Sequence, residues 1–298
     1  MNPPTNPVVT FLVPCGENEQ FLLTCVQSLL MQTFIDFEVL LLDEGKSPAV
    51  SALAAQLPPA DGRIRYIPVE NTDPTEQSTG WGITHANGDL IWRIAAEHCL
   101  ASPHVLQDFV TQFILNSRLG VAFCRVQCLD DGNAPYETYI PHKKDSNLPY
   151  QPTLYPGQLF FRHLLKENIL PSPAVIVRKA CFIQTGLENE DVFEWEAWLC
   201  FALEWDVYFD PEPKVYYRQD RGRHAGVKSP DELERILFCY RAVEAYLANH
   251  RYPKPLKRQA QLARLQFMRR KGFKMSLPEK MMRLYRRFTA EPFDFAEV

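Results

Sequence analysis

Short apolar runs alternate with segments of helical periodicity along the first part of the chain. Runs rich in β-branched and other apolar side chains predict buried strands at residues 8–13, 37–42, 64–69 and 90–94. Residues 21–30 and 49–58 carry apolar side chains at helical spacing. A strand, a helix and a second strand in close succession form a βαβ unit with a right-handed crossover, so this pattern predicts a sheet of parallel strands.

The second half of the chain is less regular. Residues 130–158 are rich in Pro, Gly, Asn and Tyr without a clear period, which predicts a long loop with at most a short hairpin. Beyond Pro230 the pattern is helical to the end. The other expected elements are helices at 105–115, 180–185 and 193–203, and strands at 120–126, 173–178, 207–210 and 215–217, the last two around a Pro-Glu-Pro turn.

Polar side chains follow each of the early strands. Glu17, Asp43 and Glu70 come after the first three runs, and the fourth run stops at Glu97 and His98. Parallel strands end at the same edge of a sheet, and open α/β sheets bind ligands outside that edge. The sequence therefore predicts a ligand site built from these strand ends.

Charged residues are distributed unevenly along the chain. The net charge is -4 and the pI about 6.0, which excludes the strongly basic class of nucleic-acid binder, although Lys and Arg accumulate after Arg251. We expect a nucleotide-binding domain over residues 1–226 and a basic helical extension over 227–298. The extension is either a solvated helical face or a surface that contacts an anionic membrane or a polyanionic acceptor.

The eight cysteines form no C-x-x-C pair, and several lie in apolar runs. This favours buried free thiols over a zinc site or disulfide framework. The first residues lack the basic and apolar regions of a signal peptide, and no run reaches the roughly 18 apolar residues of a membrane helix. We expect a cytoplasmic protein, or one peripheral to the inner face of a membrane.

Several motifs occur in an order that resembles a known family. Residues 28–33, SLLMQT, with Phe37-Glu38-Val39, are similar to its "SLLxQT…FEV" run, and Asp43-Glu44-Gly45 stands where it has Asp-Asp-Gly. Residues 86–89, ANGD, follow its route to a metal motif, and residues 194–199, EWEAWL, resemble its acidic helix start. Over residues 7–225 the chain resembles the GT-A glycosyltransferases of family 2, which use nucleotide-activated sugars.

The resemblance implies an α/β fold, a Rossmann-like mixed sheet flanked by helices, followed here by a C-terminal helical extension. It implies an inverting transfer from a UDP- or GDP-linked sugar to a glycan or lipid-linked acceptor, without nucleic acid. Glu194 would be the catalytic base, with Asp191 and Glu196 as alternatives. Asp43 would contact the base or ribose of the nucleotide, in a binding set that comprises Pro14, Glu17, Asp43, Ala96, Arg218 and Arg221.

The metal motif departs from the family pattern. Residues 95–97, Ala-Ala-Glu, occupy the position of Asp-x-Asp, so the first carboxylate is missing. The resemblance implies a Mn or Mg ion held by Glu97 with Asp220 and His224. Arg218, Arg221 and Arg223 could instead bind the diphosphate directly.

Each assignment has a structural alternative. Asp43 could be a turn residue, Glu97 the start of the next helix, Glu194 a favourable first-turn charge, and Asp220 and His224 part of a solvated turn. His98, Trp195 and Trp198 fit structural roles, although His98 could belong to the site and one of the two tryptophans could face an acceptor sugar. The alternative function is a non-catalytic binder of sugar nucleotides. An unrelated doubly wound nucleotide enzyme is disfavoured because the chain has no G-x-G-x-x-G or Walker loop.

Overall fold

The computed structural model describes residues 7–43, 45, 47–69, 78–130, 134–139, 148–187, 194–218 and 230–271. In these ranges the strands are β1 Val9–Pro14, β2 Phe37–Asp43, β3 Ile64–Pro68, β4 Leu90–Arg93, β5 Cys99–Leu100, β6 Leu119–Leu129, β7 Pro135–Tyr139, β8 Thr153–Tyr155, β9 Val175–Arg178 and β10 Asp206–Arg218. The helices are α1 Glu19–Leu30, α2 Pro48–Gln56, α3 Ser78–His85, α4 Val105–Leu115, α5 Gly157–Leu164, α6 Lys179–Thr185, α7 Glu194–Glu204, α8 Pro230–Asn249 and α9 Lys254–Arg270.

All of the strands belong to one mixed sheet. Its main order is β3-β2-β1-β4-β9-β6-β10-β5, with β7 added to β6 and β8 added to β10. The first four strands in this order are parallel, as the βαβ pattern predicts, whereas β9 is antiparallel to both of its neighbours. This α/β arrangement, with helices on both faces and C-terminal helices that follow the last strand, confirms the expected fold class.

Helices cover both faces of the sheet. On one face α1, α2 and α4 bury a core that includes Phe11, Val39 and Trp92. On the other face α3 packs over β1 and β2, and α5, α7, α8 and α9 share a second core around Phe123 and Phe201. Helices α8 and α9 share this core with the sheet domain. Residues 226 and 227 lie outside the described ranges, so the domain boundary between them stays a prediction.

The turn that starts β4 is fixed by buried polar contacts. The Gly88 amide donates to Thr10 Oγ1 at 2.8 Å, and the Asn87 amide donates to Glu38 Oε1 at 2.7 Å. A Cβ at Gly88 would lie 2.6 Å from the Thr10 nitrogen, so only glycine allows this approach. The turn sets the position at which β4 enters the sheet and hence where residues 94–98 emerge.

Several elements differ from the sequence prediction. Residues 207–210 and 215–217 were expected as two strands around a turn, but β10 is continuous and absorbs the two prolines in register shifts between Asp210 and Val215. The expected loop at 130–158 contains β7, β8 and the start of α5. Glu97 does not start a helix, because it lies in a turn before β5.

All eight cysteines are free, and seven of them are buried, as predicted. None of the helices in the described ranges is long and apolar enough to cross a bilayer.

Candidate functional site

The carboxyl ends of β1, β2 and β4 meet at one edge of the sheet. The Cys15 amide donates to the Leu42 carbonyl at 3.0 Å, and the Ala96 amide donates to the Pro14 carbonyl at 3.1 Å. Pro14 pairs with Leu42, so Asp43 lies one residue further along the neighbouring strand. Three predicted nucleotide-binding residues, Pro14, Asp43 and Ala96, are thereby brought to adjacent strand ends.

Glu97 packs against the turn that follows β1. Gly16 has a φ of +68°, and a Cβ at this residue would lie 2.8 Å from Glu97 Oε1. The left-handed backbone favours glycine here, and the absence of a Cβ leaves room for the Glu97 carboxylate. The adjacent Glu17 is exposed in the same turn, which Asn18 ends by capping α1 through hydrogen bonds to the Gln20 and Phe21 amides.

Asp43 is held by neighbouring donors. Its Oδ1 accepts from the Gly45 amide at 2.9 Å, and its Oδ2 accepts from the Tyr66 hydroxyl at 2.7 Å. Burial acts to raise the pKa of Asp43, but hydrogen bonds from Ser51, Tyr66 and Gly45 outweigh it and lower the pKa below its ordinary value. The hydrogen bond between the Tyr66 hydroxyl and Asp43 is also the largest cause that raises the pKa of Tyr66, to about 12. Asp43 is therefore an oriented, ionised acceptor at the strand end.

His98 links the β4 edge to the end of β10. Its Nδ1 accepts from the Arg218 amide at 3.3 Å, and its ring stacks on Tyr217 with centroids 4.7 Å apart. Burial, together with the charges of Arg93 and Arg218, lowers the pKa of His98 to about 3. His98 is thus neutral at pH 7, and because Nδ1 accepts a hydrogen bond, Nε2 carries the proton.

Arg218 is directed toward the same edge. Its guanidinium lies 4.2 Å from the centre of the Phe21 ring in α1, and Nη1 donates to the Asp130 carbonyl at 3.4 Å. A predicted phosphate-binding cation therefore lies near the turn that carries Glu17. The other predicted cation, Arg221, lies outside the described residues.

The described residues do not form a metal site by themselves. Within the described ranges, no group of three or more His, Cys, Asp or Glu side chains is placed to hold a metal ion. Ala95 has no side-chain oxygen, and Nδ1 of His98 accepts the hydrogen bond of the Arg218 amide. The predicted ligands Asp220 and His224 lie outside the described residues, so Glu97 is the only predicted ligand among the described ones.

Helix α7 begins at Glu194, the predicted base. The side chains that follow in its first turns lie in different surroundings. Ala197 and Trp198 line a pocket against the sheet. Glu196 is buried in the same helix; burial raises the pKa values of Cys200 and of Cys239 in α8, and the charge of Glu196 adds to both. The side chain of Glu194 and all of Asp191 lie outside the described part of the chain.

We call the pocket beneath these turns the α3/α7 pocket. Its walls are mainly apolar and include Leu12 and Ile91 of the sheet. Arg93 enters from β4, where its Nε donates to Thr79 Oγ1 at 2.9 Å and its Nη1 to Ser172 Oγ at 3.5 Å. Arg93 is not among the residues predicted from the sequence; the signal for it is a charged residue inside an otherwise apolar strand run.

Comparison with known proteins identifies a family. The model of "Glycosyl transferase family 2" matches residues 10–179, more than half of the chain. The O-antigen biosynthesis protein RfbC of Myxococcus xanthus is 26% identical over 126 residues, which are 42% of this chain and 10% of RfbC. The chain thus aligns with only a small part of that relative.

Two solved structures share the fold. TarS of S. aureus, residues 1–349 in complex with UDP-GlcNAc, matches with a TM-score of 0.60 and 14% identity over 94% of this chain and 79% of that one. The mannosyltransferase PcManGT of Pyrobaculum calidifontis, in complex with GDP-Man and Mn²⁺, matches with a TM-score of 0.51 and 11% identity over 97% and 82%.

Proposed function

The chain belongs to glycosyl transferase family 2, and on that premise we propose that it moves a sugar from a nucleoside-diphosphate sugar to an acceptor hydroxyl with inversion. The observation that carries the proposal is the strand-end edge, where Glu97 packs against Gly16 beside Pro14 and Ala96. The edge lies where open α/β sheets bind their ligands. Structures with the same fold bind UDP-GlcNAc and GDP-Man, which supports a UDP- or GDP-linked donor.

The nucleotide would lie along this edge. Asp43 would accept a hydrogen bond from the base or ribose, because its carboxylate is ionised and held by Tyr66. Pro14, Glu17 and Ala96 would form the wall beneath the nucleotide. Arg218 and Arg221 would neutralise charge on the diphosphate as the bond to the sugar breaks.

Glu194 would serve as the base. It would take the proton of the acceptor hydroxyl while that oxygen attacks the anomeric carbon and the nucleoside diphosphate leaves. Residues three and four positions apart share a helix face, so the helical repeat would put Glu194 on the same face as Ala197 and Trp198, which line the pocket. Glu196 is a poorer candidate because its side chain is only 9% exposed.

A divalent ion is a separate part of the proposal. Mn or Mg would be held by Glu97 with Asp220 and His224 and would supply positive charge at the diphosphate. Calorimetry with UDP and GDP, with and without Mn, tests this directly. We expect tighter nucleotide binding with Mn in the wild type and no such gain in Glu97→Ala; equal affinities with and without Mn would remove the ion from the proposal.

The transfer itself is tested by incubating the full chain with a panel of UDP- and GDP-sugars and measuring release of UDP or GDP and the mass of sugar products. We expect turnover with one donor class. The second candidate function, a non-catalytic binder of sugar nucleotides, is favoured by Ala95 in place of a carboxylate. Tight nucleotide binding without turnover of any donor would support that second function instead.

We further propose that the protein acts in the cytoplasm on a glycan or lipid-linked acceptor, with its basic C-terminal segment at the inner face of a membrane. Supporting this, α9 contains six Lys and Arg residues and no carboxylate. Co-sedimentation with vesicles that contain anionic lipid, compared with neutral vesicles, tests the contact. Equal sedimentation with both would exclude it.

A further inference from the structure

His98 lies where the chain crosses from the end of β4 to β5. Its amide donates to the Ala95 carbonyl at 2.9 Å, which closes the turn after β4. The next residue, Cys99, already pairs with Tyr216 of β10 in an antiparallel ladder. The backbone of His98 is therefore tied to the sheet on both sides.

The imidazole ring of His98 is fixed as firmly as its backbone. The ring stacks on Tyr217 with centroids 4.7 Å apart and planes 19° from parallel, and Nδ1 accepts from the Arg218 amide at 3.3 Å. A ring nitrogen that accepts a hydrogen bond carries no proton of its own, so the ring proton is on Nε2. Among the described residues, none accepts a hydrogen bond from this Nε2. The ring thus presents an oriented N–H donor.

This donor belongs to the strand-end edge. Strand β9 is antiparallel to both β4 and β6, and β10 is parallel to β6, so β4 and β10 run in the same direction and end at the same edge. His98 comes two residues after Ala96, whose amide donates to the Pro14 carbonyl at the end of β1. The ring therefore lies between the end of β1, where the nucleotide is proposed to bind, and Arg218 at the end of β10.

We propose that His98 donates a hydrogen bond from Nε2 to the diphosphate of the sugar nucleotide and is a further binding residue for the leaving group. This inference rests on the proposed function, which supplies the diphosphate. As the bond between the anomeric carbon and the β-phosphate oxygen breaks, that oxygen takes both electrons, and the N–H stabilises the added charge. A donor that the fold already orients needs no reorganisation at this step.

A purely structural role for His98 would act through Nδ1, as the anchor of the Arg218 amide. Two amide side chains separate the two roles, because the asparagine amide reaches about as far as Nδ1 and the glutamine amide about as far as Nε2. His98→Asn keeps an acceptor for the Arg218 amide and loses the donor at Nε2. His98→Gln keeps a donor at Nε2 and loses the acceptor at Nδ1.

The test is calorimetry of the full chain with UDP and GDP, together with NMR titration of uridine and guanosine. We expect His98→Asn to weaken binding of the diphosphate about tenfold or more, as for loss of a charge-assisted hydrogen bond. His98→Gln should stay within about threefold of the wild type, since it retains a donor. The nucleosides have no phosphate, so their affinities should be the same in the wild type and both variants.

His250→Asn is the matched control. His250 also stacks on a tyrosine, Tyr246, with centroids 4.1 Å apart, but it is exposed and follows α8 instead of a strand of the sheet. Its substitution should leave the affinity for UDP and GDP unchanged.

Three outcomes would overturn the inference. Wild-type affinity for the diphosphate in His98→Asn, with a loss in His98→Gln, would assign His98 to the anchor of Arg218 alone. An equal loss for diphosphates and nucleosides would indicate a general disturbance of the site. If the wild type binds neither UDP nor GDP, the proposed function fails as well, whereas either of the first two results removes this inference and leaves the proposed function in place.

Discussion

Replacing Gly16 with alanine tests the contact at the centre of the candidate site. Gly16 has a φ of +68°, and its added Cβ would lie 2.8 Å from Glu97 Oε1. Gly186, which ends α6 with a φ of +72°, offers a matched control, since an added Cβ there meets no described atom within 4 Å. The two substitutions impose the same backbone strain, but only one disturbs Glu97.

The left-handed backbone costs a residue with a Cβ about 1–2 kcal/mol. We therefore expect Gly16→Ala and Gly186→Ala each to lower the free energy of unfolding by about this amount. The clash at Gly16 adds little to this cost, because the Glu97 carboxylate is the end of a flexible side chain and can turn away. That rotation removes the carboxylate from the strand-end edge, so only Gly16→Ala should weaken nucleotide binding and transfer.

Urea denaturation measures the stability of both variants, and calorimetry with UDP or GDP measures binding. A Gly16→Ala protein as stable as the wild type would refute the left-handed turn. Equal nucleotide affinity and transfer in the two variants would refute the placement of Glu97 against the β1–α1 turn.

Three further predictions concern stability and reactivity. Glu38→Ala should lower the free energy of unfolding, measured by urea denaturation, by about 3 kcal/mol, because Thr10 and Asn87 lose their buried acceptor. Arg65→Met should lower it by less than about 1 kcal/mol, since Arg65 is 42% exposed. Burial, with the charges of Lys166 and Arg162, lowers the pKa of His163 to about 3. The contribution of neutral His163 to the free energy of unfolding is therefore complete above the ordinary pKa of 6.5, and about 1.4 kcal/mol of it is lost for each pH unit below 6.5. The free energy of unfolding, measured between pH 7 and 4, should fall less steeply in His163→Phe. A charged thiol reagent should modify native protein at most at Cys99 but all eight cysteines after unfolding in guanidinium, and rapid loss of several thiols in the native state would contradict their burial.

The elements that the sequence predicted well are those whose burial is complete. All seven residues of β2 are buried, so its apolar run is unambiguous. Helix α3 was missed because four of its eight residues are polar and two are glycines. A Cβ at Gly82 would approach the side chains of Leu12 and Leu42 to 3.0 Å, so here glycine allows a helix to pack close to the sheet.

The candidate site was predictable only where it follows strand ends. Parallel pairing brings Pro14, Asp43 and Ala96 together, as expected for strands that end at one edge, whereas the nucleotide-binding roles of Pro14 and Ala96 come from the family resemblance. Arg93 and Trp198 both line the α3/α7 pocket. One wall of this pocket is α3, a helix that was not predicted, and another is α7, whose pocket-facing side chains depend on the tertiary fold. Sequence periodicity predicts which face of each helix or strand is buried, but it does not predict which of these faces pack against each other.

The measurement that tests the central claim most directly compares Glu194→Gln with Glu204→Gln, at the two ends of α7. With the donor that the panel identifies, we expect Glu194→Gln to lower kcat by about 10²- to 10⁴-fold, as for loss of a general base. Glu204→Gln should transfer sugar at nearly the wild-type rate, because Glu204 contacts Tyr252 at the far end of the helix. Equal kcat values for the wild type and Glu194→Gln would contradict the proposed role of this helix in glycosyl transfer.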